Sequence, residues 1–280
     1  MSNKLYPKYS VLMSVYYKEN PEWFKQAVQS MLDQSIKPSE FVIICDGQLT
    51  HSLDAIIHHF VKTNKKLFKI IRLDKNVGLG PALRRGILEC SNELIARMDS
   101  DDYCKDNRIK KQLDALADDP ELDMVGTNVE EFYGSVNNII SHVILPENNE
   151  DIIRFSKRRC PFRHPSLLYK KSSILKVGNY REYYLFEDYD LYIRLIKNGA
   201  KSKNIQEPLT YMRISKDFYK RRGGLRYANS IVKFKTEQYK TGYFSLFDYV
   251  ISTIPHVIIC LSPNFVRDIF YKTFLRKRAK

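Results

Sequence analysis

Two carboxylate clusters mark where this chain can do chemistry. Asp99, Asp101 and Asp102 fall within four consecutive residues. Carboxylates that close repel one another and raise one another's pKa unless a cation sits among them. Hard oxygens from one or two aspartates, completed by substrate phosphates, are the usual way to hold Mg²⁺ or Mn²⁺. The alternative is an Asp-rich turn that merely caps the helix expected near Asn107. The second cluster is Glu187-Asp188, beside Tyr180, Tyr183, Tyr184 and Phe186. A carboxylate there can act as general base toward an attacking hydroxyl, or simply complement the dipole at a helix start. Asp190 continues the acidic run but faces elsewhere on the same helix.

Three weaker features accompany these clusters. Asn76-x-Gly78-x-Gly80 sets glycines ahead of a helix, where backbone can approach a phosphate closely or just make a turn. His164, between Arg163 and Pro165, suits a ligand, a phosphate contact or a satisfied core histidine. Arg213, Arg221 and Arg222 lie near Gly223-Gly224, in a stretch that reads either as a lid over a diphosphate or as a plain surface loop.

The elements that must position these groups follow from periodicity. Short apolar runs at 9–16, 40–45, 68–73 and 94–98 predict buried strands. Asn20-Pro21 supplies an N-cap and an N1 proline for a helix carrying Ala27, Val28, Met31 and Leu32 on one face. Further helices are expected around Ile56–Phe60 and from Asn76 to about Cys90. Strand and helix alternate four times in the first hundred residues, which predicts an α/β fold: a mostly parallel, doubly wound sheet with helices on both faces. Ligands bind beyond the C-terminal ends of such strands, where Asp46 and Asp99 both fall. After Ile109 the spacing predicts a helix over 107–117, longer strands over 124–132 and 139–145 around a turn at Gly134, and a strand over 165–169. A helix over 187–198 follows, closed by Gly199. Basic helices are expected beyond Gly224, with an apolar stretch over 244–261. We divide the chain into a catalytic domain, 1–215, and a basic helical extension, 216–280.

Bulk composition narrows the function classes. With 44% hydrophobic and 28% charged residues among 280, the chain is of ordinary globular make-up, free of repeats and low-complexity tracts. Cys45, Cys90, Cys104, Cys160 and Cys260 show no C-x-x-C spacing, so they suit neither a disulfide framework nor a zinc site. They read as small buried hydrophobes in a reducing compartment. No signal peptide is evident, and the cytoplasm is expected. Residues 201–280 carry 17 Lys and Arg against 5 Asp and Glu, which places +12 of the net +14 in that stretch. Such a segment suits an anionic partner, or is a solvated basic surface.

The order of motifs carries a family resemblance. Tyr9 to Glu19, Cys45-Asp46-Gly47, Asn76-x-Gly78-Leu79, Ala96-Arg-Met-Asp-Ser-Asp-Asp102, His164-Pro-Ser166 and Glu187-Asp-Tyr-Asp-Leu191 resemble the pattern of family 2 glycosyltransferases. The resemblance spans about residues 9 to 213. It implies the GT-A fold, inversion at the anomeric carbon, and a divalent metal, Mn²⁺ or Mg²⁺. It is most similar to bacterial enzymes that build O-antigen or capsular repeat units on a lipid diphosphate carrier. By that resemblance Ser14, Tyr16, Glu19 and Asp46, with Asn76 and Gly78, would bind the donor. Asp99 would face its ribose and sugar, Asp101 would hold the metal on the diphosphate, and Asp188 would be the base. Ser14 stands where many members have proline, and Cys45 replaces the first aspartate of Asp-Asp-Gly-Ser.

The expected activity is therefore transfer of a hexose, from UDP-glucose or UDP-galactose, to a glycan hydroxyl on a polyprenyl diphosphate. A nucleotidyltransferase making a nucleotide-sugar would call for a glycine-rich basic loop after the first strand, where Val15-Tyr-Tyr-Lys-Glu-Asn20 stands instead. A nucleic-acid-binding protein using the basic tail would leave Asp99, Asp101 and Asp188 without a purpose. Nucleic acid is accordingly not expected as a partner. The uncharged stretch between Asp248 and Arg267 is too short and polar to span a bilayer. Flanked by Lys233, Lys235, Lys240 and the basic C-terminus, it predicts peripheral association with the anionic inner face of the cell membrane.

Overall fold

The computed structural model describes residues 5–214, 223–267 and 277–278. Its first half is a parallel α/β unit made of β1 (Tyr9–Val15), α1 (Pro21–Leu32), β2 (Glu40–Cys45), α2 (His51–Thr63), β3 (Phe68–Arg72), α3 (Leu79–Glu89) and β4 (Leu94–Arg97). β1 pairs in parallel with both β2 and β4, and β2 with β3. Alternation along β1 sends Val11 and Met13 into a core under α1 and α2, while Leu12 enters a second core under α3. Both faces are thus covered, which is why these strands read as unbroken apolar runs. Asn20 caps α1, its side chain accepting from Glu22 N and Trp23 N, with Pro21 at the first helical position.

The second half pairs differently. It contains β5 (Tyr103–Cys104), α4 (Arg108–Asp118), β6 (Leu122–Phe132), β7 (Ile139–Val143), α5 (Asn149–Ser156), a 3₁₀ turn at His164–Ser166, β8 (Leu168–Lys170), α6 (Lys171–Lys176), α7 (Glu187–Lys197) and β9 (Lys201–Arg213). β8 joins the halves, antiparallel to both β4 and β6. The sheet runs from β10 (Lys277–Arg278) through β7-β6-β8-β4-β1-β2 to β3, with β9 parallel to β6 and holding β5. β10 closes one edge against β7. The α/β expectation holds, with the parallel pairing concentrated in β3-β2-β1-β4.

Differences from the expected elements have local causes. Pro165 turns 164–166 into a 3₁₀ turn, so the strand begins only at Leu168. β9 escaped the sequence reading because its first inward positions are the polar Ser202 and Asn204 and its period breaks around Glu207-Pro208, yet it lies along nearly all of β6. α5 and α6 are too short to show a period. Cys45, Cys90, Cys104 and Cys260 are buried free thiols, and Cys160 is half-buried.

α8 (Leu225–Lys240) and α9 (Leu246–Leu261) form a helical pair. Tyr227, Ile231 and Phe234 pack on Phe186, Tyr189 and Ile193 of the α7 region. Ser245 and Asp248 make a reciprocal capping box at the start of α9.

Candidate active site

Three segments beyond the C-terminal ends of β1, β2 and β4 meet the N-terminal turns of α3 and α7. Asp46 follows β2, its N–H donating to Val15 O at 2.8 Å. Its Oδ1 accepts from Val77 N at 2.7 Å, and its Oδ2 from Gly78 N and Asn76 Nδ2, both at 3.0 Å. The backbone amides of Val77 and Gly78 are therefore already paired with a carboxylate. Gly47 makes the turn possible: its φ is +84°, and a Cβ there would stand 2.7 Å from Asn76 N. Gly80 brings α3 against α7, since a Cβ would meet Arg181 O at 2.8 Å and Glu187 Cβ at 3.2 Å.

The acidic loop after β4 is braced at every residue. Asp99 Oδ1 pairs with Arg97 Nη2 at 2.5 Å. Ser100 Oγ donates to Glu19 Oε2 at 2.5 Å, while Glu19 Oε1 accepts from Asn20 N at 2.8 Å. Asp102 Oδ1 accepts from Arg213 N at 2.7 Å, and Arg213 Nε donates to Asp101 O at 2.9 Å. One carboxylate oxygen from each of Asp99, Asp101 and Asp102 lies within 4.8 Å of the others. Burial first, then the charges of Asp101 and Asp99, pushes the Asp102 carboxyl well above the usual carboxylate range. Burial likewise raises Glu19. A divalent cation fits this set: it would offset the repulsion that lifts Asp102, and its donors are the hard oxygens such ions prefer.

Arg213 is part of this bracing and is not a mobile lid. Its guanidinium lies 4.5 Å from the ring centres of both Trp23 and Phe132 and donates to Gly134 O and Gln26 Oε1. The lid expectation for Arg213 is corrected for that reason: the side chain is 7% exposed and held on all sides. Arg221 and Arg222 lie outside the described residues.

Arg97 is the residue that the motif reading passed over. It is 1% exposed, and its Nε and Nη1 have no hydrogen-bond partner. A guanidinium taken out of water costs several kcal/mol, so its opposite charges matter. Its field lowers the pKa of both Asp102 and Glu187 and joins burial in holding His164 well below its ordinary value. The available signal was an arginine inside an otherwise apolar strand, 94–98. His164 is a neutral core histidine, its Nε2 2.8 Å from Tyr180 Oη and its ring packed on Tyr180 and Tyr192. It is not in the carboxylate group.

The α7 pair divides in character. Glu187 is 8% exposed, and burial, then the neighbouring charge of Asp188, pushes its pKa up to about 8. Asp188 is half-buried, one oxygen accepting from Tyr189 N at 2.7 Å. Asp190 is fully buried and pairs with Arg194 at 2.7 Å one turn on, a structural contact. Ser14 is half-buried near the end of β1, and Tyr16 is exposed in the turn that follows.

Comparison with known proteins identifies the fold and the family. The Glycosyl transferase family 2 model matches residues 10–178. The chain is 37% identical over 273 residues to the UDP-Gal:alpha-D-GlcNAc-diphosphoundecaprenol beta-1,3-galactosyltransferase of Escherichia coli, across 97% of this chain and 98% of that protein. It is 33% identical over 225 residues to the amylovoran biosynthesis glycosyltransferase AmsE of Erwinia amylovora, across 80% and 83% of the two. Among solved structures, the mannosyltransferase PcManGT from Pyrobaculum calidifontis in complex with GDP-Man and Mn²⁺ superposes with a TM-score of 0.64 at 13% identity, over 84% of this chain and 65% of that one. S. aureus TarS 1-349 in complex with UDP-GlcNAc gives 0.59 at 19% identity, over 80% and 66%. The chain thus spans about two thirds of each solved structure, and the likeness establishes the GT-A-type fold. With a parallel sheet that presents an acidic loop at its rim, and with relatives matched along nearly the whole length, the chain belongs to glycosyl transferase family 2.

Proposed function

We propose that the chain transfers galactose, or a closely related hexose, from its UDP donor to a hydroxyl of a polyprenyl-diphosphate-linked glycan, with inversion. The observation that carries this reading is the near full-length similarity to an E. coli galactosyltransferase whose name states that donor and a GlcNAc-diphosphoundecaprenol acceptor. The braced carboxylates support it. Asp101, with Asp99 and Asp102, would hold Mn²⁺ or Mg²⁺, which supplies Lewis acidity toward the leaving diphosphate. Ser14, Tyr16 and the Asp46-locked loop through Asn76 and Gly78 line the donor side, with Glu19 fixing the acidic loop through Ser100. Arg97 pairs with Asp99 and aims it.

Asp188 takes the proton from the acceptor hydroxyl as that oxygen attacks the anomeric carbon from the face opposite the diphosphate. It is the better base of the pair because it is half-exposed, whereas Glu187 is buried and largely protonated at neutral pH. The proposed acceptor class supports a peripheral position at the inner face of the cell membrane, with residues 216–280 as the membrane-facing extension. Among the described residues no helix is long and apolar enough to cross a membrane.

The test is a donor panel: purified protein with UDP-, GDP- and dTDP-sugars and a synthetic GlcNAc-diphosphate-lipid acceptor. UDP-galactose should give a disaccharide product with inverted configuration. Pyrophosphate release from a nucleoside triphosphate and a sugar phosphate, without transfer, would overturn the reading in favour of a nucleotidyltransferase.

A further inference from the structure

α9 is built inside out. Its buried residues are Asp248, Ser252, Thr253 and Cys260. Its exposed ones include Phe247 at 66%, Ile254 at 53%, Ile258 at 61% and Leu261 at 51%. Leu246, Val250 and Ile251 widen that face, and Phe265 just past the helix prolongs it. At about 100° per residue, the seven of these on the helix fall within roughly 140° of arc, one continuous stripe. A helix facing water shows the reverse pattern. Inward placement does not even satisfy the polar groups, since Ser252 Oγ and Thr253 Oγ1 have no hydrogen-bond partner. Turning the helix about its axis would relieve both defects, so the outward stripe calls for a partner.

The chemistry bordering the stripe says which partner. Between Asp248 and Arg267 the chain carries no formal charge. Asp248 is neutralised by Arg158 at 3.0 Å, and the Arg158 guanidinium also lies over the ring of Phe247, 5.1 Å from its centre. Arg154 and Lys157 line the same shallow cleft at the start of α9. Arg154 points outward, with 78% of its side chain exposed. These cations come from the end of α5 and the turn after it, not from the basic tail. Lys235, one of the flanking cations expected from the sequence, is 1% exposed and cannot reach a headgroup.

We infer that the outward face of α9 lies in the surface of an anionic phospholipid bilayer, with Phe247, Ile254, Ile258, Leu261 and Phe265 below the headgroups and Arg154 and Lys157 on their phosphates. The inference rests on the lipid-linked acceptor proposed above and deepens it. Apolar insertion supplies a part of the binding that salt does not screen, and the bordering cations add a part that it does, so binding resists salt more than a polybasic tail would.

Sedimentation with phosphatidylcholine vesicles, with and without phosphatidylglycerol, tests this on the full chain. The wild type should sediment with the anionic vesicles. Phe247→Ser with Ile258→Ser should lower the bound fraction by at least about tenfold at low and high salt alike, because burial of each side chain contributes on its own. Arg154→Glu with Lys157→Glu should weaken binding by about tenfold at low salt and much less at high salt. Thermal stabilisation by UDP should be equal in all three proteins, showing that the donor site stays folded. Undiminished vesicle binding by the apolar double variant overturns the inference. So does light scattering that shows a wild-type dimer dissociated by the same serines while vesicles bind neither protein. The donor panel reads an independent property: its failure would leave the vesicle result standing, and the reverse also holds.

Discussion

The acidic loop after β4 and the α8–α9 pair treat polar groups in opposite ways. Around Asp99–Asp102 each residue is tied to a neighbour: Glu19 holds Ser100, Arg97 holds Asp99, and Arg213 holds both the Asp101 carbonyl and the Asp102 carboxylate. In α9 the buried Ser252 and Thr253 hydroxyls lack partners while isoleucines face outward. Both arrangements are costly for the isolated chain. A cation would offset the repulsion in the first, and the bilayer proposed above would cover the outward apolar face of the second.

The largest effect should come from removing the keystone of the braced region. Asp101→Ala, or excess EDTA on the wild type, should abolish transfer, and added Mn²⁺ or Mg²⁺ should restore only the chelated wild type. Full turnover in excess chelator would sink the role given to the acidic triplet. Next in size is Asp188→Asn, which keeps shape but cannot accept a proton. It should lower kcat by ~10²–10⁴-fold while UDP-sugar affinity stays nearly unchanged. If Glu187→Gln is inactive and Asp188→Asn is not, the base is one residue earlier.

Stability against pH sharpens the contrast further, because the two regions should respond with opposite sign. Glu187 has its pKa raised to about 8 by burial and by Asp188. Its contribution is fully present below the unfolded-state value near ~4.3 and is lost as pH rises through about 8. Lys235, buried between α8 and α9 with its Nζ donating to Ser252 O, has its pKa lowered to about 7 by desolvation. Its contribution is present above the unfolded-state value near ~10.4 and is lost as pH falls through about 7. Melting curves should show Glu187→Gln stabilising most at alkaline pH and Lys235→Met stabilising most below pH 7. Shifts of about 2–4 °C per kcal/mol are expected for a chain of this size. Equal shifts at all pH values would remove the titration argument from both sites.

The smallest effect is expected at Asp46, which ties the end of β2 to the start of α3. Asp46→Ala frees two backbone amides and the Asn76 amide, comparable to loss of a helix cap, about 0.5–2 kcal/mol. A lower melting temperature with a raised KM for donor is the expected result. A raised KM at unchanged stability would mean that Asp46 touches the donor directly.

Much of the catalytic half was legible in the sequence. Buried parallel strands need unbroken apolar runs, and their C-terminal ends are where polar residues gather. That logic placed Asp46 and Asp99 at one rim and Glu187-Asp188 at a helix start. What tertiary structure alone decided is the pairing of distant groups: Glu19 with Ser100, Asp102 with Arg213, Arg97 with Asp99 under the field of α7. β9 stayed hidden because its inward positions Ser202 and Asn204 are polar, although it is the strand that delivers Arg213 to the acidic loop. α9 shows the same limit from the other side. Its composition announced an apolar segment with cations nearby. Which face turned outward, and that Arg154 and Lys157 rather than Lys235 border it, depended on packing against α8. A sequence fixes the period of a helix, but its rotation about its own axis is chosen by the neighbours it packs on.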